Sequence, residues 1–122
     1  MLGTGDFTHP AWLKELDKLL IEAEPGFFKL KHEPQKDYPF DISPDPISIR
    51  FVLTAEIFCI YRKNNRVRKN HNLILVPDFE SIIKINKRLS KIANLETDGR
   101  PILKLDVHDL LEIVLKALIT GY

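Results

Sequence analysis

Between Ile47 and Tyr61 every odd position is apolar: Ile47, Ile49, Phe51, Leu53, Ala55, Ile57, Cys59 and Tyr61. Ser48, Arg50, Thr54, Glu56 and Arg62 take most of the alternate positions. Successive side chains on a strand point to opposite faces, so this pattern predicts a long strand with one row turned to a core. Val52, Phe58 and Ile60 interrupt the polar row and imply partial cover on the second face. A polar and basic stretch from Arg62 to His71 follows, and Leu73, Ile74, Leu75 and Val76 then restore the apolar character. Asn64 and Asn65 tolerate the positive φ of a tight turn, so residues 47 to 76 read as one long hairpin.

The flanks carry the helical period. Trp12, Leu13, Leu16, Leu19, Leu20 and Ala23 recur on one side, with Lys14, Glu15, Asp17, Lys18 and Glu22 on the other. Thr8 is the expected N-cap, Pro10 fits the first turn, and Pro25-Gly26 is the expected stop. Phe27 to Lys31 reads as a short strand. Pro34, Pro39, Pro44 and Pro46 then mark a loop pinned by Tyr38, Phe40 and Ile42, either functional or a plain surface crossover. Beyond the hairpin, Asp78 is the expected N-cap of a second helix whose stripe is Phe79, Ile82, Ile83, Leu89, Ile92 and Ala93. The turn Glu96 to Gly99 leads to a last strand, Arg100 to Leu105, in which Pro101 favours the start or an edge.

Asp106 is the expected cap of a third helix, with Asp109 at the N3 position, running to about Ile119 and ending at Gly121. Leu110, Leu111, Ile113, Val114, Leu115, Ala117, Leu118 and Ile119 leave it only a narrow polar strip. A helix apolar nearly all round is buried on more than one side, either across the sheet or against a partner chain. Self-association through residues 107 to 119 is therefore expected, most simply as a two-fold homodimer. The order α-β-β-β-α-β-α predicts an α+β fold in a single domain over residues 1–122. Its sheet should be mainly antiparallel, of three or four strands, with helices packed mainly on one face.

A chain of 122 residues supports one core rather than two. It holds no long uncharged apolar run to cross a membrane. The first ten residues lack the basic start and apolar stretch of a secretory signal. Cys59 is the single cysteine and sits on the apolar row, as expected of a buried reduced thiol in a cytoplasmic protein. The net charge of +1 conceals an asymmetry. Residues 62 to 91 hold nine basic side chains against Asp78 and Glu80, an excess of seven that leaves the rest of the chain at −6. Such a segment fits a polyanionic partner.

Several chemistries find no support. The glycines at 3, 5, 26, 99 and 121 build no phosphate cradle. His9, His32, His71 and His108 are scattered, so no metal centre or cofactor is expected. Asp106, His108 and Asp109 lie close together, but helix capping explains both aspartates. His32-Glu33 is weaker still as a site. No glycine-flanked serine elbow exists, so no catalytic residue is assigned. The element order matches many metal-dependent nucleases. These need an acid on one strand and Glu-x-Lys on the next, and here the long strand offers only Glu56.

The reading preferred from sequence is a small non-catalytic nucleic-acid-binding or nucleic-acid-associated protein. Its DNA or RNA contacts would come from Arg62, Lys63, Arg66, Arg68 and Lys69 on the hairpin and Lys84, Lys87, Arg88 and Lys91 on the second helix. Asn64, Asn65, Asn70 and Asn72 could add hydrogen bonds, while aromatic interleaving is sparse, with only Tyr61 nearby. The rivals are an acidic protein partner for the same patch, an adaptor assembled through the third helix, and a metal-dependent nuclease-like fold without obvious ligands.

Overall fold

The computed structural model describes residues 1–31, 49–97 and 100–119. The proline-containing loop 34–46, His32-Glu33, the first positions of the long strand (Ile47 and Ser48), Asp98-Gly99 and the helix end at Gly121 lie outside the described residues. The elements in chain order are β1 (Leu2–Gly3), α1 (Pro10–Leu19), β2 (Leu20–Glu24), β3 (Phe27–Leu30), β4 (Phe51–Lys63), β5 (Arg66–Val76), α2 (Phe79–Leu89), β6 (Ile102–Leu103) and α3 (Val107–Ile119).

The hairpin forms where the alternation placed it. β4 and β5 pair antiparallel from Leu53↔Val76 to Lys63↔Arg66. Asn64 and Asn65 close them with φ of 53° and 61°, the doubly positive turn whose twist matches paired strands. Leu53, Ala55, Ile57 and Cys59 are fully buried, as the odd-position row requires. β1, β3, β5 and β6 all pair with β4, and β2 joins through β3. β1 and β6 run parallel to β4, at Leu2↔Phe51 and Phe58↔Ile102, and β3 joins antiparallel at Phe28↔Phe51. Among the described residues the result is a mixed, mostly antiparallel sheet of six strands, two more than the upper expectation, because Leu2–Gly3 and Leu20–Glu24 add the short strands β1 and β2.

The N-terminal region departs most from expectation. The helix stops at Leu19 instead of continuing to Ala23, and Leu20–Glu24 turns into a strand paired with β3. Pro25-Gly26 is therefore a hairpin turn, with Gly26 at φ 84°, rather than a helix stop. Without β2, the only partner of β3 would be the single Phe28↔Phe51 rung. Pairing satisfies both backbones and buries Leu20 and Phe28, which outweighs a helical preference. The N-cap is His9, whose Nδ1 accepts from Ala11 N at 3.2 Å, while Thr8 is buried.

α2 starts on Asp78, whose carboxylate accepts from Ser81 N at 2.8 Å. It ends at Leu89, so Ile92 and Lys91 fall in the following turn. Its buried row is Ile82, Ile85 and Leu89, whereas Ile83 faces solvent. Asp106 caps α3 by accepting from His108 N at 2.9 Å. One buried cluster joins Leu16 of α1, the inner rows of β4 and β5, Leu103, and the inner sides of α2 and α3. α3 contributes Leu110, Ile113, Val114 and Ala117 to it. Its second stripe, Leu111, Leu115, Leu118 and Ile119, stays exposed. Among the described residues no helix is long and apolar enough to cross a membrane.

Candidate nucleic-acid interface

Strand alternation divides the basic hairpin between two faces. Residues opposite one another share a face, so Lys63, Arg66 and Arg68, opposite Tyr61, stand on the side of the helices. Arg62 and Lys69, opposite Val67 and Ile60, stand on the outer side. Lys63 reaches Asp106 at 3.4 Å, and Lys84 reaches Glu80 one helical turn back at 3.3 Å. Arg62, Arg66, Arg68, Lys69, Lys87, Arg88 and Lys91 have no acidic partner among the described residues and are all exposed. Lys84, Lys87 and Arg88 lie on α2 itself, with Lys91 just beyond its end. Asn70 and Asn72 turn inward, Asn70 Nδ2 donating to Tyr61 Oη at 3.3 Å and Asn72 Nδ2 to Ile57 O at 3.4 Å.

The outer side carries an arrangement that sequence reasoning missed. Glu56, Phe58 and Ile60 of β4 face Leu73, His71 and Lys69 of β5. The Phe58 and His71 rings stack with centroids 4.3 Å apart. The Arg100 guanidinium lies 5.8 Å from the Phe58 centroid. Glu56 Oε1 ties the set together, 2.7 Å from Arg100 Nη1 and 3.0 Å from His71 Nδ1. The hydrogen bond with His71, reinforced by the charge of Arg100, holds the Glu56 carboxyl below its ordinary value. Phe58 on the polar row was the available signal; the arrival of Arg100 across 44 positions was not readable.

The acids do not form a two-strand metal pair. Glu56 is committed to Arg100 and His71, and β5 carries no acid. The residues described therefore do not fit the acid plus Glu-x-Lys arrangement that a metal-dependent nuclease centre uses. His108, Asp109 and Glu112 place ligand atoms within 4.8 Å of one another, but all three are exposed on one turn of α3. Asp106 beside them acts as the helix cap, its carboxyl lowered chiefly by the His108 N–H. Cys59 is buried, and desolvation raises its thiol pKa, which fits an inert structural cysteine.

No protein-family model matches this sequence, and no curated protein matches it either. The fold is similar to part of the lesion-specific endonuclease PfuEndoQ from Pyrococcus furiosus, with a TM-score of 0.65 and 23% identity. It is similar, at a TM-score of 0.64 and 23% identity, to Endonuclease Q in complex with a 27-mer duplex substrate bearing an abasic lesion at the active site. Each likeness covers 95% of this chain but only 24% of the endonuclease. This likeness overturns the preference for a non-catalytic nucleic-acid-binding protein and favours the alternative of a nuclease-like fold. That alternative already stands among the rivals read from the sequence, as a nuclease-like fold without obvious ligands.

Proposed function

We propose that this chain is a nuclease-like module acting on DNA within a DNA-cleaving protein. The observation that carries the reading is the likeness of nearly the whole chain to a segment of a lesion-specific endonuclease. The exposed cations support a role in holding the DNA backbone. In this reading Arg66 and Arg68 lead, with Arg62, Lys63, Lys69, Lys84, Lys87, Arg88 and Lys91 supplementing them. The test is titration of labelled duplex DNA, with and without an abasic site, at two salt concentrations. Affinity that falls steeply with salt is expected. No binding at low salt, or binding indifferent to salt, overturns the reading.

We also propose that the chain self-associates through α3, in the cytoplasm. The outward stripe Leu111, Leu115, Leu118 and Ile119 supports the first point, and the lone buried Cys59 the second. Leu111 is 53% exposed, so Leu111→Asp should leave the fold intact and convert dimer to monomer in sedimentation. A wild-type chain that sediments as a monomer at high concentration removes the interface.

A further inference from the structure

We infer that the outer face of the β4–β5 hairpin, with β6, receives an unpaired nucleotide of single-stranded DNA. This rests on the DNA-directed reading above and names the form of DNA for a face of which that reading uses only Arg62 and Lys69.

The face is open and apolar in its middle. Phe58, Ile60, Leu73 and Ile102 stand outside the buried cluster, and Leu73 and Ile102 are 68% and 59% exposed. Duplex DNA offers no bases to such a strip, because its bases are stacked inside. A single strand does, and a base gains by stacking on an aromatic ring or a guanidinium plane. Here the platform is already assembled: the His71 ring stacks on Phe58, the Arg100 guanidinium lies beside the same ring, and one Glu56 oxygen holds both His71 and Arg100. Side chains that are already ordered lose little freedom when a ligand arrives.

Charge chooses the occupant. Glu56 is the single acid on this face among the described residues, and Arg100 already neutralises it. Around the strip stand Arg62, Lys69, Arg100 and the exposed Lys104. An acidic strand with exposed bases matches both the rim and the middle. A cavity of about 520 Å³ adjoins the stack, lined by Ile92, Asn94, Thr97, Arg100, Ile102 and Lys104. Arg100 belongs to both, so a base lodged in this cavity lies beside the guanidinium that also reaches Phe58. Lys104 then stands beside it for the phosphate, and Glu56 is a positioning residue that orients Arg100.

The experiment compares fluorescein-labelled oligothymidine and a mixed-sequence duplex by anisotropy at one salt concentration. Phe58→Leu keeps the apolar surface but removes the ring. Arg100→Lys keeps the charge but removes the plane. Each is expected to weaken oligothymidine binding about tenfold, as loss of one stacked base does. Neither should alter duplex binding, which depends on Arg66 and Arg68. A strand containing 2-aminopurine should be quenched on the wild-type chain and not on either variant. Equal losses on both probes, or no quenching, overturn the inference while the duplex reading stands. Failure of the duplex itself to bind overturns the reading beneath it. Arg100 is exposed, so its variant serves even if Phe58→Leu does not fold.

Discussion

Replacing Arg66 and Arg68 together by alanine should weaken duplex binding by an amount set by two phosphate contacts. Both side chains are exposed, lie on the same face of β5, and have no acidic partner among the described residues. Nothing in the fold is lost with them, so the change acts on binding alone. Each phosphate contact contributes about 0.9 to the slope of log K against log salt, so the double variant should lower that slope by about 1.8. If counterion release is the whole effect, the loss is about 60-fold near 0.1 M salt and about 12-fold near 0.25 M. The assay is anisotropy over a salt series, with circular dichroism confirming that the fold survives. Lys84→Ala is the comparison. Its ammonium already faces Glu80 at 3.3 Å, so the slope should fall by less than one full contact. A slope unchanged in the double variant refutes the assignment of the hairpin to the DNA backbone, whatever happens to the affinity.

Other outcomes test the structure from different sides. Gly3→Ala would set a Cβ 2.8 Å from Thr54 Oγ1, a hydroxyl held by Gly5 N at 2.9 Å. Overpacking of this kind costs about 1–3 kcal/mol, and an unchanged thermal midpoint would show that β1 can move aside. The folded-state pKa of Glu56 lies below its ordinary value of 4.5. A depressed carboxylate contributes stability above its unfolded pKa, and that contribution is lost as pH falls through the folded pKa. Urea midpoints should therefore decline as pH drops below about 4.5, less steeply in Glu56→Gln, with Asp106 contributing in the same direction. Parallel curves for the two proteins would argue against the His71 and Arg100 contacts. Cys59 should resist a thiol reagent in the native protein and react once it is unfolded. Immediate labelling would mean that the inner row of β4 opens readily.

What the chain determines alone is whatever depends on near neighbours. The period of two from Leu53 to Tyr61 predicts a strand and its inner row, because neighbouring side chains on any strand diverge. Asn64-Asn65 closes the hairpin because both residues accept positive φ, and Asp78 caps α2 through a bond three residues away. The excess of cations in residues 62 to 91 is likewise a property of composition. Tertiary structure decided the rest. Residues 20–24 are apolar enough for either helix or strand, and only the need of β3 for a second partner selects the strand. The register of β4 against β5 sends Arg66 and Arg68 to one face and Arg62 and Lys69 to the other. The outer stack needs Glu56, His71 and Arg100 together, and the last arrives only because β6 lies parallel to β4 at Phe58↔Ile102. Contacts across such separations depend on how strands are ordered in the sheet, and no local pattern of residues carries that information.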